Sequence, residues 1–137
     1  MPARLGGTID VCVLLVEDDY LIRLIMSESL SDAGFDVIEA ASGDQAIELI
    51  RNPPRPITVL VTDFHMPGGQ DGSHVAASIR QRWPSLPVVI ASGRPDVFQA
   101  SWKNEFGYTL LNKPYTPRAL VDLVQMLVDV SAGRQEG

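Results

Sequence analysis

Four places in this chain carry side chains suited to phosphorus chemistry, and each follows a short apolar run. Glu17-Asp18-Asp19 follows Val11–Val16 (VCVLLV), Asp63 follows Ile57–Thr62 (ITVLVT), Ser92 follows Pro87–Ala91 (PVVIA), and Lys113 follows Tyr108–Leu111 (YTLL) after Asn112. Three consecutive carboxylates repel one another, and a divalent cation offsets that repulsion. Mg²⁺ takes oxygen ligands, keeps several of its waters and needs only one or two protein carboxylates. Glu17 and Asp18 therefore read as metal-binding, and Asp19 as the N-cap of a following helix. Asp63 is a third carboxylate for the same small volume. An aspartate beside Mg²⁺ can attack phosphorus and form an acyl phosphate, with the metal neutralising the charge that develops. The Ser92 hydroxyl can donate to a phosphoryl oxygen, and Gly93 lets the backbone come close. Lys113 is a compact charge for a phosphate or carboxylate. Alone, each residue is a common turn residue; their conjunction, in chain order, is the signal.

The elements that must position them alternate. The apolar runs, with Phe35–Ala40 (FDVIEA) as a further one, mostly lack the in/out alternation of a half-wet sheet, as strands covered on both faces do. Between them lie helical patterns. Leu21–Leu30 has Leu21, Leu24, Ile25 and Leu30 at helical spacing before Gly34. Ser42–Ile50 opens on a capping Ser, and Val75–Trp83 ends before Pro84. Pro95–Phe106 has the loosest pattern. Thr116–Val130 has a cap at Thr116, Pro117 at the first helical position and a stripe through Leu120, Leu123, Val124, Leu127 and Val130. The order predicts an α/β fold, a doubly wound five-stranded parallel sheet with five helices. Ligands of such sheets sit at the carboxyl ends of the strands, where all four groups fall.

Composition narrows the function further. The 137 residues suit one domain, with tails expected over 1–10 and 132–137. The formal charge of −6 and scattered basic residues argue against a nucleic-acid partner. Nothing approaches the roughly 18 apolar residues of a membrane span, and residues 1–10 lack the apolar core of a secretory signal. A soluble cytoplasmic protein is the expectation. Cys12, the sole cysteine, lies in an apolar run and reads as a core residue. His74 reads as a helix-surface residue, and His65 as a partly exposed loop residue rather than a ring ligand. Trp83 and Trp102 read as core or interface, since no basic groove accompanies them.

Together, VLLVEDD, VTDFHMPGGQDG, PVVIASG and LLNKPYTPRAL resemble the receiver domain of bacterial response regulators, from about Val11 to Val130. The resemblance implies a flavodoxin-like sheet of order 2-1-3-4-5, with the receiver domain over 11–131. It implies that Asp63 accepts a phosphoryl group from a phosphohistidine on a histidine kinase or phosphotransfer protein. Asp18, Asp63 and the His65 backbone carbonyl would ligate Mg²⁺, Glu17 would reach it through water, and Ser92 and Lys113 would hold the phosphoryl oxygens. Such a domain is a signalling module that catalyses its own phosphorylation and dephosphorylation. An aspartyl-phosphate phosphatase would carry a second Asp two residues after the nucleophile, where His65 stands. A degenerate receiver acting only as a protein-binding module is the alternative.

Three features depart from the commonest family pattern. Leu110 stands where an aromatic switch residue is often found, with Tyr108 two residues earlier on the same strand face. MPGGQDG is one residue longer than MPxxDG, an insertion that Gly68 and Gly69 can absorb. His65 and Arg94, at positions that tune phosphate lifetime, imply slow-to-moderate self-dephosphorylation. No output domain is expected after Val130, and the expected output is an unknown protein partner, for a stand-alone receiver or one from a hybrid histidine kinase. A partner surface or homodimer is expected on the fourth helix, fifth strand and fifth helix, through Trp102, Phe106, Tyr108 and the outer side of Arg118–Asp129.

Overall fold

The computed structural model describes residues 11–94 and 107–136. Five strands, β1 (Cys12–Val16), β2 (Asp36–Ala40), β3 (Val59–Asp63), β4 (Val88–Ser92) and β5 (Thr109–Asn112), form one parallel sheet. Its order is β2-β1-β3-β4-β5, as expected. The helices among the described residues are α1 (Tyr20–Asp32), α2 (Gly43–Arg51), α3 (Gly72–Arg82) and α4 (Pro117–Glu136). The helix expected over 95–106 lies outside the described residues, as do Trp102 and Phe106.

The uninterrupted apolar runs have their physical reason in two cores. Cys12, Leu14 and Val16 of β1 point into one, with Ala46 and Ile50 of α2 and Val75, Ala76 and Ile79 of α3. Val11, Val13 and Leu15 point into the other, with Met26 and Leu30 of α1 and Leu120 and Val124 of α4. Every residue of β1, β3 and β4 is buried. Successive side chains alternate sides, so both positions of the pleat must be apolar.

Local caps set where the helices begin. Asp19 Oδ1 accepts from the Ile22 N–H at 3.1 Å, Ser42 Oγ from the Gln45 N–H at 3.1 Å, and Thr116 Oγ1 from the Ala119 N–H at 3.0 Å. Asp71 caps α3, accepting at Oδ1 from the Ser73 and His74 N–H groups at 2.9 and 3.2 Å. His74 Nδ1 in turn accepts from the Asp71 N–H at 3.2 Å, so this exposed histidine closes a reciprocal cap. Asp71→Ala is expected to cost about 1 kcal/mol in urea unfolding. Burial pushes the Asp71 carboxyl up, but bonds from Ser73 and His74 outweigh it and hold it below its ordinary 3.8. Its contribution is therefore fully present above pH 3.8 and lost as pH falls below it. The urea midpoints of Asp71→Ala and the parent should converge in acid.

Three sequence expectations need correction. Of the apolar stripe of α1 only Leu30 faces the core: Leu21, Leu24 and Ile25 are 64%, 37% and 48% exposed, and Met26 is buried in their place. Periodicity identifies a face of a helix but not which face the sheet covers. Tyr108 is not a surface residue. It is 5% exposed in the α2–α3 core, with the Arg80 guanidinium 5.2 Å from its ring centroid. Finally, α4 continues past its apolar stripe, from Val130 to Glu136.

Candidate functional site

The loop after β1 carries Glu17 and Asp18, and β3 ends in Asp63. One carboxylate oxygen from each lies within 4.8 Å of the others. Asp18 is exposed, while Glu17 and Asp63 are each only 3% exposed. The Glu17 N–H donates to Ala40 O of β2 at 3.0 Å, and Glu17 Oε2 accepts from the Asp19 N–H at 3.0 Å. Burial first, and then the neighbouring Asp63 carboxylate, push the Glu17 carboxyl up to about 8. Gathering negative charge here is unfavourable without a cation.

Lys113, just past β5, brings one. Its Nζ lies 2.6 Å from Asp63 Oδ1 and 3.9 Å from Glu17 Oε1. Burial pulls this ammonium down, but Asp63, then Glu17 and Asp18, outweigh it and hold it above its ordinary value. Asp63 Oδ2 has no such partner. It is buried and receives no hydrogen bond among the described residues. A buried carboxyl oxygen without a donor beside two further carboxyl groups fits a hard, oxygen-seeking cation such as Mg²⁺.

Ser92 ends β4 next to these groups, 2% exposed. Asp63 pairs with Ala91 in the ladder, and Ser92 with Asn112, one residue before Lys113. The Ser92 hydroxyl oxygen accepts from the Arg94 N–H at 3.0 Å. His65 is exposed, its ring edge-on to Phe64 with centroids 4.8 Å apart. His65, Met66, Pro67, Gly68, Gly69 and Asp71 line an open recess of about 410 Å³ beside the site. The longer loop turns at Gly68, whose φ of +102° a side chain would strain.

Sequence reasoning missed three residues. Gly72 packs its α-carbon against the Asp63 carbonyl and Phe64 Cα so closely that an added Cβ would overlap both. Arg23 Nη1 donates to the Glu17 carbonyl at 2.8 Å. Tyr115 packs on the α1–α4 core, and burial followed by the charges of Asp63 and Glu17 pushes its phenol up. The DG pair after MPGGQ was the available signal for Gly72. Arg23 and Tyr115 act through a carbonyl and through space, which no residue spacing reveals.

Residues 13–125 match the sequence profile of the response regulator receiver domain. The chain belongs to that family. This receiver is 29% identical over 126 residues to a putative NtrX-like response regulator of Rickettsia felis, covering 90% of this chain and 26% of the relative. It is 31% identical over 117 residues to the DNA-binding transcriptional regulator NtrC of Escherichia coli, covering 85% and 24%. A response regulator receiver protein from Sinorhizobium medicae has the same fold, with a TM-score of 0.76 and 32% identity, covering 88% of this chain and 95% of that one. The receiver thus spans about a quarter of the length of these curated relatives. It is a module of two-component signalling. No described helix is long and apolar enough to cross a membrane.

Proposed function

We propose that this receiver takes a phosphoryl group onto Asp63 from a phosphohistidine of a histidine kinase or histidine phosphotransfer protein. The observation that carries the reading is the divided environment of one carboxylate. Asp63 Oδ1 meets Lys113, and Oδ2 is buried without a donor beside Glu17 and Asp18. Asp18, Asp63 and the His65 backbone carbonyl would hold Mg²⁺, with Glu17 reaching it through water. When bound, Mg²⁺ supplies charge neutralisation for the phosphoryl oxygens. An Asp63 oxygen forms the new bond to phosphorus as the phosphorus–nitrogen bond breaks, and the imidazole nitrogen keeps the electron pair. Lys113 and the Ser92 hydroxyl then hold the phosphoryl oxygens. The acyl phosphate shifts a conformational equilibrium that a protein partner reads.

The test is Mg²⁺-dependent labelling by a small phosphodonor, followed by intact mass. The parent should gain one phosphoryl group and Asp63→Asn none. Full-rate labelling of Asp63→Asn, or equal labelling of the parent in EDTA, would overturn the reading.

One observation favours a second reading. Leu110 replaces the common aromatic, and Tyr108 is buried against Arg80, so an aromatic flip at this strand has no evident actor. A degenerate receiver would bind its partner without phosphorylation, and would then fail to bind beryllofluoride with Mg²⁺. The output partner is a separate protein or a domain beyond these 137 residues. This acidic domain itself is not proposed to touch nucleic acid. Dimerisation through the outer side of Arg118–Asp129 is tested by solution scattering with and without beryllofluoride. A monomer in both would count against it.

A further inference from the structure

The half-buried Arg23 holds the acidic loop from behind, without occupying it. Its Nη1 donates to the Glu17 backbone carbonyl at 2.8 Å, and its Nε to Glu39 Oε1 at 3.2 Å. Glu39 Oε2 accepts from the Ser27 hydroxyl at 3.0 Å. Arg23 and Ser27 lie one turn apart on α1, so α1 grips one carboxylate of β2 with two side chains. Glu39 pairs with Leu15 in the ladder, and Ala40 accepts from the Glu17 N–H at 3.0 Å. The Tyr20 ring lies beneath the guanidinium, 5.5 Å from its centroid. The Arg23 side chain is only 15% exposed.

This arrangement divides the work of two cations. Lys113 bonds to Asp63 itself, so it occupies an oxygen of the cluster. Arg23 places its charge against the Glu17 main-chain carbonyl and leaves the side-chain oxygens of Glu17, Asp18 and Asp63 untouched. It sets a positive charge beside the acidic cluster while keeping the cluster's metal-facing atoms free. It also fixes the path of the backbone from which Glu17 and Asp18 project. We infer that Arg23 is a positioning residue for divalent-metal binding, setting the affinity of the Glu17–Asp18–Asp63 cluster through the Glu17 carbonyl with Glu39 as its brace. The inference rests on the metal reading proposed above.

The guanidinium fork suits this geometry because it can serve a carbonyl and a carboxylate together, which an ammonium does less well. Outer partners of metal ligands commonly change affinity by about tenfold or more when lost. The experiment is calorimetric titration of the metal-free domain with Mg²⁺ alone, for the parent, Arg23→Gln, Arg23→Lys and Asp18→Asn, with melting curves for each. Arg23→Gln should weaken Mg²⁺ about tenfold, with Arg23→Lys between it and the parent. Folded Arg23→Gln binding Mg²⁺ within twofold of the parent overturns the inference, even if its melting temperature has fallen. Should Arg23→Gln not fold, Arg23→Lys decides: parent-like affinity overturns the inference, and a severalfold loss supports it. A parent that binds Mg²⁺ no better than Asp18→Asn overturns the metal reading, and the inference with it.

Discussion

Lys113→Ala should lower stability by about 2 kcal/mol in EDTA and clearly less in Mg²⁺. Removing one partner of a buried ion pair costs roughly 3–5 kcal/mol, because the other charge stays behind. The Lys113 side chain is 34% exposed, so solvent screens part of that loss and the lower figure is expected. The charge left behind is that of Asp63 and Asp18, since the Glu17 carboxyl, pushed up to about 8, stays largely protonated at neutral pH until a cation binds. Asp63 and Glu17 are buried and Asp18 lies beside them, with an oxygen of each within 4.8 Å of the others. A divalent cation in the cluster replaces the missing positive charge, so the same substitution should matter less once Mg²⁺ is present. Urea unfolding in the two buffers reads the difference. Equal losses would show that Lys113 matters for packing rather than for charge. Phosphoryl uptake should stay impaired even in Mg²⁺, by on the order of a hundredfold, as when one preorganised electrostatic group is removed from a reacting oxyanion.

The second large effect needs no charge. Gly72→Ala should cost about 2–3 kcal/mol and slow labelling of Asp63 on the order of a hundredfold. The new methyl would overlap the Asp63 carbonyl and Phe64 Cα, which are backbone and cannot rotate away. The Gly72 N–H also donates to Phe64 O at 2.8 Å, so the strain reaches the segment that carries Asp63. Overpacking accounts for the stability loss, and a displacement near one ångström at a reacting group accounts for the rate. Gly69→Ala is the control. An added Cβ there meets nothing within 4 Å, so its stability should stay within about 0.5 kcal/mol of the parent. If both variants label like the parent, Gly72 does not set the position of Asp63.

The strands were legible because β1, β3 and β4 are buried on both faces, which keeps them apolar until near their carboxyl ends, and their order in the sheet followed from the resemblance to receiver domains. Glu17, Asp18, Asp63, Ser92 and Lys113 were legible because each ends a strand, and the carboxyl ends of a parallel sheet converge. What was hidden is tertiary. The orientation of α1 depends on which of its two apolar sectors the sheet covers, and Leu21 and Met26 look alike in a sequence. Tyr108 looks like a surface aromatic until Arg80 of α3 is laid across it. Arg23 recognises a backbone carbonyl, and every residue has one.

The outward apolar turns of α1 also bear on how the helix opens. Tyr20, Leu21, Ile22, Leu24 and Ile25 are all partly exposed to solvent, so its first half relies on the Asp19 cap and Arg23. Its second half is held by Met26 and Leu30 in the core. Local unfolding follows such unevenness. Backbone amides of Leu24 and Ile25 should exchange with deuterium well before that of Leu30, in a fraying unit that begins at the acidic loop and stops where burial starts.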